Sequence, residues 1–223
     1  MLTIGHRGAA GLEPENTILS FKRAIDLGVD MIEFDVQLCN SGEVVVFHDF
    51  TLDRCTNGNG LVIEKTLDEL KKLDAGKGQK ISTLTESLES INRKVDINIE
   101  LKGRSTSHKV ANIIKHFIDN NHWQMKDFII SSFDHDELLK FTKLMLEIKI
   151  GVLYKTIPDN FNEMASALNA FSINANFKFI IKDIVRQIHL KGYQTYAYTV
   201  NKKEDKLKMK EMGVDGVFTD FPY

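Results

Sequence analysis

Hydrophobic and polar residues alternate along this chain in two distinct patterns. Short apolar runs rich in Val, Ile and Phe predict β-strands, and longer stretches in which apolar residues recur every three or four positions predict amphipathic helices. The predicted strands are 2–5, 31–36, 44–49, 96–101, 127–132, 149–154, 171–175, 194–200 and 216–220. The predicted helices are 16–27, 85–92, 107–120, 134–146, 160–169, 178–191 and 202–212.

The order of these segments predicts a closed α/β barrel. Strands that alternate with full-length helices form parallel sheets, and eight such units in a chain of 223 residues are typical of a (β/α)8, or TIM, barrel. The turn between 31–36 and 44–49 is too short for a parallel crossover, so either these two runs form a hairpin or one of them lies partly outside the barrel. The last strand nearly reaches Tyr223, so no eighth helix is predicted. A homodimer is one way to cover the flank of the barrel that would be exposed.

Residues 50–80 interrupt the alternation of strands and helices. This segment carries the turn signals NGNG and DAGKG, with a helix-like stretch near 66–72 between them. It predicts an insertion after the strand at 44–49. The expected organisation is therefore one domain over residues 1–223 with one elaborated loop.

Charge and length exclude several classes of protein. The chain has 31 acidic and 29 basic residues and a net charge of -2, so no overall field favours a nucleic-acid or membrane partner. Every apolar run is far shorter than the about 20 residues of a membrane-spanning helix. The first predicted strand begins almost at Met1, so no leader and a cytoplasmic location are expected. For Cys39 and Cys55, two free thiols are favoured over a single disulfide.

Two carboxylates in the apolar stretch DMIEFDVQL are the first chemical signal. Side chains alternate along a strand, so Glu33 and Asp35 point to one side and the apolar residues between and around them point to the other. Neighbouring carboxylates repel each other, and burying either one is costly. The pair therefore predicts a positively charged partner.

Further reactive side chains are expected at the same rim, because active sites of parallel barrels lie at the carboxyl ends of the strands. The residues found there are His6, Arg7, His48, Asp49, Glu100, Lys102, Tyr198 and Asn201. Three carboxylates without a neighbouring cysteine favour a hard cation, Mg²⁺ or Ca²⁺. An arginine and a lysine favour an anionic substrate such as a phosphate, and two histidines suit acid–base catalysis near neutral pH. Together these residues indicate metal-assisted cleavage at phosphorus.

Other polar residues are expected to have structural roles. Asp49 is interpreted as a cap or ion-pair residue, and Asp134 as the N-cap of the helix that follows it. The remaining histidines fall on helices or loops and are expected to be solvated or structural; they are His108, His116, His122, His135 and His189.

Several sequence blocks occur in the order found in a known family. They are GHRGAAGLEPENT, IEFDVQL, VVVFHD, TLDRCTNGNG with LDELKKLDAG, NIELK, ISSFD, TVN and DGVFTDFP. On these blocks the chain resembles the glycerophosphodiester phosphodiesterases over nearly its whole length, and the first four blocks together with NIELK are the most specific. The resemblance implies a TIM barrel that hydrolyses a small-molecule glycerophosphodiester to sn-glycerol 3-phosphate and an alcohol. It also implies that the insertion at 50–80 is the small cap that family members carry after the second strand.

The resemblance also implies which residues carry the reaction. Glu33, Asp35 and Glu100 match the positions that hold a divalent cation. His6 and His48 match the acid–base pair, and we expect the first to accept a proton and the second to donate one. The glycerol 2-hydroxyl is the implied nucleophile, which gives a cyclic phosphate that water then opens.

The implied substrate contacts involve four further residues. Arg7 and Lys102 match positions that contact the phosphate. Asn16 either holds the first loop near the site or only caps the first helix. Tyr198 stands where the family usually has Trp, and is expected to pack on the glycerol backbone.

Two alternative functions remain open. A phospholipase D of the sphingomyelinase type resembles this family in its barrel, metal and histidine pair; the cap insertion and the lack of an obvious apolar docking loop argue against it. A non-catalytic barrel that binds glycerophosphodiesters is the other, and the intact pair of histidines argues against it.

Overall fold

Alternating apolar residues build the strands of this protein, whose computed structural model describes residues 1–223. The strands are β1 (Leu2–His6), β2 (Met31–Leu38), β3 (Val44–Val46), β4 (Asp96–Leu101), β5 (Phe128–Ser132), β6 (Lys149–Tyr154), β7 (Ser172–Asn176), β8 (Gln194–Tyr198) and β9 (Gly216–Thr219). The helices are α1 (Ile18–Asp26), α2 (Leu67–Lys72), α3 (Leu84–Ile91), α4 (Ser107–Asn121), α5 (His135–Leu144), α6 (Phe161–Ala167), α7 (Lys182–Leu190) and α8 (Lys203–Met212).

The strands close into a barrel of eight parallel strands. Their order is β1-β9-β8-β7-β6-β5-β4-β2, and a parallel β1–β2 pairing closes the circle. The TIM barrel is therefore confirmed. β3 lies outside the barrel and pairs antiparallel with β2, with Val46 opposite Val36, as the short turn predicted. It ends at Val46 rather than at residue 49. The amide of Phe47 still donates to the carbonyl of Asp35 opposite it, but the Asp35 amide donates to the Asn16 side chain and the Phe47 carbonyl accepts from the Gln37 side chain, so the pairing goes no further.

The two faces of the barrel strands are buried in different surroundings. Ile32, Phe34 and Val36 of β2 belong to the large apolar cluster between strands and helices. The interior is closed at the amino-terminal end by a smaller apolar cluster of Ile4, Met31, Ile129, Tyr196 and Phe218. The barrel is thus a packed core rather than a channel, and its polar interior residues lie towards the carboxyl ends of the strands.

The helix ends follow local sequence signals. Thr17, not Asn16, is the N-cap of α1, since its hydroxyl accepts from the amide of Ser20. Asp134 caps α5 as predicted and accepts from the amide of Glu137. No helix follows β9, also as predicted; the homodimer expected to cover that flank stays a prediction. No helix is both long and apolar enough to cross a membrane.

The cap insertion, residues 50–80, contains α2 and a 3-10 turn at Val62–Glu64. With the hairpin and the segment that follows, it forms a separate apolar cluster of Cys39, Val45, Phe47, Leu52, Val62, Leu70, Ala75 and Ile81. This cluster anchors the insertion beside β3, next to the carboxyl ends of the barrel strands. Cys39 and Cys55 are both free thiols.

Candidate active site

Three carboxylates from adjacent strands form the centre of the site. Asp35 of β2 lies directly beside Glu100 of β4, and Glu33 precedes Asp35 on the same inner face. One oxygen of each carboxylate lies within 4.8 Å of the others. Burial and then the neighbouring carboxylates raise the pKa of Glu33, and burial followed by the charge of Asp35 raises the pKa of Glu100 to about 7.

These residues fit a bound divalent cation. Glu33 Oε1 is buried and has no hydrogen-bond partner, although buried carboxylate oxygens are normally paired. All the available ligand atoms are carboxylate oxygens, which Mg²⁺ and Ca²⁺ prefer over softer metals. The structure thus provides an acidic triad that could hold a metal.

Two basic side chains lie against this triad. Arg7 Nε is 3.3 Å from Asp35 Oδ2, and the Arg7 amide donates to Glu33 Oε2 at 2.9 Å. Lys102 Nζ is 3.2 Å from Glu100 Oε1 and 4.0 Å from Asp35 Oδ1. Positive charge and acidic oxygens therefore share the base of one pocket.

The position of Arg7 depends on a tight turn, GHRG, after β1. Gly8 has a φ of +87°, and a Cβ at this position would lie 2.4 Å from Ser20 Oγ. Glycine is therefore required both by backbone conformation and by space. The same Ser20 hydroxyl donates to the carbonyl of Arg7 and accepts from the amide of Ala9, so α1 fixes the turn over the acidic triad.

His48 is held through both ring nitrogens. Nδ1 lies 2.6 Å from Asp49 Oδ1, and Nε2 lies 3.0 Å from Lys102 Nζ. Because the lysine can only donate, Nε2 accepts and Nδ1 donates to the carboxylate. Burial lowers the pKa of His48. Asp49 also forms the expected ion pair, with Arg54.

His6 has a carboxylate partner of its own. Its Nδ1 lies 2.7 Å from Asp220 Oδ1, and Asp220 Oδ2 accepts from Asn201 Nδ2 at 2.6 Å. Burial alone would raise the pKa of Asp220, but the hydrogen bond and charge of His6 outweigh burial and lower it. Asp220 was not among the candidates from the sequence. It stands at the carboxyl end of GVFTD, however, and active-site residues of parallel barrels are expected at the carboxyl ends of the strands.

Asn16 and Tyr198 support the site in different ways. The Asn16 side chain donates to Asp35 Oδ2 at 2.9 Å and accepts from the Asp35 amide at 3.3 Å, so it holds the first loop against the triad. The Tyr198 hydroxyl donates to the carbonyl of Tyr154, and its ring meets Phe133 edge to face at 5.9 Å between centroids.

The site opens into a pocket of about 420 Å³ at the carboxyl end of the barrel. The pocket brings together most of the predicted residues, whereas Asp35 and Asn16 are buried behind its wall. The lining is His6, Arg7, Glu33, His48, Glu100, Lys102, Ser131, Phe133, Leu153, Asn176, Phe177, Lys178, Tyr198, Thr199 and Phe218. A groove of about 730 Å³ continues from it past Phe50 and Phe133 and shares Glu100 and Lys102 with the pocket.

Comparison with known proteins identifies the family of this chain. A model of the glycerophosphoryl diester phosphodiesterase family matches residues 6–223. The chain belongs to this family. The expected class of enzyme, a phosphoric diester hydrolase built on a TIM barrel, is thereby confirmed.

Relatives and solved structures agree with this assignment. A glycerophosphodiester phosphodiesterase from Caldanaerobacter subterraneus subsp. tengcongensis is 41% identical over 99% of this chain and 94% of its own length. One from Bacillus subtilis is 33% identical over 100% of this chain and 84% of its own length. The structure of an Oleispira antarctica phosphodiesterase in complex with the product sn-glycerol-3-phosphate superposes with a TM-score of 0.93 at 32% identity, covering 100% of this chain and 94% of that one.

Proposed function

We propose that this protein hydrolyses glycerophosphodiesters to sn-glycerol 3-phosphate and an alcohol. The observation that carries this proposal is the arrangement of two histidines, each paired with its own carboxylate, around one acidic triad and two basic side chains. A pocket of about 420 Å³ is large enough for a small phosphodiester. The sn-glycerol-3-phosphate bound to the Oleispira protein supports the same class of substrate.

The acidic triad would hold one divalent cation, Mg²⁺ or Ca²⁺, through Glu33, Asp35 and Glu100. When bound, the ion would polarise a phosphoryl oxygen and offset the repulsion between the carboxylates. Arg7 and Lys102 are the proposed phosphate ligands, since each carries a positive charge to the edge of the triad and each can donate to phosphoryl oxygens.

Proton transfer is assigned to the two histidines. In the first step the glycerol 2-hydroxyl attacks phosphorus and gives its proton to His6, while the bond from phosphorus to the leaving alcohol breaks and His48 protonates that oxygen. The product is a cyclic phosphate and a free alcohol. In the second step water attacks phosphorus and gives its proton to His48, while the bond from phosphorus to the 2-oxygen breaks and His6 returns its proton to that oxygen. Asp220 and Asp49 hold the Nδ1 atoms, which leaves Nε2 of each ring for the reaction.

The role of His48 as first proton donor requires a change at Lys102. Without substrate, Lys102 Nζ lies 3.0 Å from His48 Nε2, which leaves no proton on that nitrogen. A bound phosphate would take Lys102 as its own partner, and its negative charge would favour the imidazolium form of His48. Substrate binding would therefore place a proton on His48 Nε2, from which the leaving alcohol can take it.

Exposed aromatic side chains favour a second candidate substrate class. Phe50, Phe133 and Phe179 are 59%, 41% and 55% exposed, and the first two line the groove that continues from the pocket. Exposed apolar groups at the mouth of a site commonly contact an apolar ligand. This observation favours phosphodiesters in which the part that keeps the phosphate carries a hydrocarbon chain, because a phospholipase D releases the head-group alcohol and leaves that chain on the phosphate.

A substrate panel distinguishes these functions. Release of sn-glycerol 3-phosphate is measured from glycerophosphodiesters with choline, ethanolamine, glycerol and inositol head groups, in Mg²⁺, in Ca²⁺ and in chelator. Release of choline from lysophosphatidylcholine and from sphingomyelin is measured under the same conditions. Metal-dependent release of sn-glycerol 3-phosphate supports the proposal. Turnover of the lipids alone supports the second candidate, and no turnover of any substrate refutes both.

The histidine roles are tested by substitution. His48→Ala should lower kcat by about 10²- to 10⁴-fold without unfolding the protein, because the ring lies at the surface of the pocket. His108→Ala, on the exposed side of α4, is the matched control and should keep wild-type turnover. Normal turnover in His48→Ala would contradict the acid–base role.

A further inference from the structure

Arg54, in the cap insertion, makes an unusually complete set of hydrogen bonds to two carboxylates. Its Nε donates to Asp49 Oδ2 at 2.6 Å and its Nη2 to Asp49 Oδ1 at 2.8 Å. Its Nη1 donates to Glu15 Oε2 at 2.7 Å and the same Nη2 to Glu15 Oε1 at 2.8 Å. A planar guanidinium that binds both oxygens of two carboxylates fixes the orientation of both.

Each of these carboxylates in turn holds one residue of the proposed site. Asp49 accepts from His48 Nδ1 at 2.6 Å. Glu15 accepts from Arg7 Nη1 at 2.6 Å. Asp49 therefore links Arg54 to His48, the proposed proton donor. Glu15 links Arg54 to Arg7, a proposed phosphate ligand.

We propose that Arg54 is a positioning residue that couples the cap insertion to both His48 and Arg7. The inference rests on the roles proposed for those two residues. With Arg54 in place, neither carboxylate can rotate away from its partner without breaking two hydrogen bonds. Without Arg54, Asp49 and Glu15 are each held by a single side chain.

The charges of this network support the same interpretation. Hydrogen bonds from Arg54 lower the pKa of Asp49. Burial alone would raise the pKa of Glu15, but the bonds and charges of Arg54 and Arg7 outweigh it and lower the pKa to about 2. Both carboxylates therefore stay ionised across the pH range in which a histidine titrates. In that range Asp49 can accept from His48 and Glu15 from Arg7.

Loss of Arg54 should change the titration of His48. The charged groups that act most on His48 are Asp49 beside it, Lys102 just after β4, Arg7 after β1 and Asp35 on β2. Glu33 and Glu100 line the same pocket. Of these, Asp49 is the one that Arg54 neutralises. Removal of the guanidinium leaves the Asp49 charge uncompensated, so the imidazolium form of His48 becomes more favourable.

A second ion pair between the cap insertion and the first loop provides a matched control. Lys77 Nζ, also in the cap insertion, lies 2.7 Å from Glu13 Oε2 in the first loop. It thus joins the same two segments as Arg54 but contacts neither Asp49 nor Glu15. Lys77→Met tests whether any link between insertion and loop is sufficient.

Kinetics provide the first measurement. Arg54→Met should lower kcat/KM by about 10- to 100-fold, with part of the loss in kcat through His48 and part in a higher KM through Arg7. Arg54→Lys keeps the charge but cannot bind both carboxylates at two points, so it should recover only part of the loss. Lys77→Met should stay within about twofold of wild type. In an Asp49→Asn background, Arg54→Met should cost much less in kcat than it does alone.

A titration separates this inference from the proposed function. The His48 ring resonances, assigned by their absence in His48→Gln, are followed against pH by NMR in the metal-free protein. The His48 pKa should rise in Arg54→Met and stay at its wild-type value in Lys77→Met. An unchanged His48 pKa in Arg54→Met, or equal losses of kcat/KM in Arg54→Met and Lys77→Met, would overturn the inference. A wild-type protein inactive on every glycerophosphodiester refutes the proposed function, whereas the titration still decides whether Arg54 acts on His48.

Discussion

Replacement of Glu15 with Gln should destabilise the protein by an amount that depends on pH. Glu15 accepts hydrogen bonds from Arg7 and Arg54 at 2.6 to 2.8 Å. Although burial opposes ionisation, these partners lower the pKa of Glu15 from 4.5 to about 2. Each pH unit between the two values is equivalent to about 1.4 kcal/mol of folding free energy, so the ionised carboxylate contributes at most about 3 kcal/mol.

Solvent reduces that upper bound. The Glu15 side chain is 20% exposed and Arg54 is 50% exposed, so we expect Glu15→Gln to lower the free energy of unfolding by about 2 kcal/mol at pH 7. The folded-state pKa is depressed. The contribution is therefore fully present above the unfolded pKa, near 4.5, and is lost as the pH falls towards 2. The difference between wild type and variant should shrink steadily below pH 4.5.

Urea unfolding at pH 7, 5, 4 and 3 measures this difference. Trp123 is the only tryptophan and is buried in the main apolar cluster, so its fluorescence reports global unfolding. Glu89→Gln, at an exposed position of α3 without an ion pair, is the control and should show no such pH dependence. A Glu15→Gln effect below about 0.5 kcal/mol at pH 7, or one that is constant down to pH 3, would refute the reasoning.

Three further predictions follow from the site. Asp220→Asn should lower kcat at least about tenfold, because His6 exchanges a carboxylate for a neutral amide that does not stabilise the imidazolium form or fix the tautomer. Steady-state kinetics measures this loss, with circular dichroism as the check on folding, and an unchanged kcat would contradict it. Addition of Mg²⁺ or Ca²⁺ to chelator-treated protein should raise Tm and restore activity, and Glu100→Gln should abolish the shift; a shift that persists in this variant would place the ion elsewhere. Gly8→Ala should lower the free energy of unfolding by about 1–3 kcal/mol, because its Cβ would lie 2.4 Å from Ser20 Oγ; wild-type urea stability would show that the turn can relax.

Local patterns were sufficient to predict the strands of the barrel. The alternation of Ile32, Phe34 and Val36 with Glu33 and Asp35 is a property of adjacent residues, and the structure confirms the two faces that it predicts. The hairpin of β2 and β3 was predictable for the same reason, since the length of its turn alone excludes a parallel crossover. The end of β3 was not predictable, because it depends on the Asn16 and Gln37 side chains, which take the Asp35 amide and the Phe47 carbonyl out of the ladder.

The location of the site could also be derived from the sequence. In a parallel barrel every strand delivers its last residues to the same rim, so residues of β1, β2 and β4 had to meet. Asn16 shows where this reasoning stopped. Its sequence context fits equally a helix cap and a loop anchor, and only the structure shows that Thr17 is the cap while Asn16 binds Asp35.

Residue types and their spacing therefore predicted the barrel, its rim and the side chains that meet there, because these depend on short-range periodicity and on a general rule of topology. The partners of the charged side chains were decided only by tertiary structure. His6 and Asp220 are 214 positions apart in the chain and 2.7 Å apart in space, and Arg54 reaches Glu15 across 39 positions. A hydrogen bond requires its two atoms to meet within about 3 Å, and distances of that order are set by how the whole barrel and its cap insertion pack together.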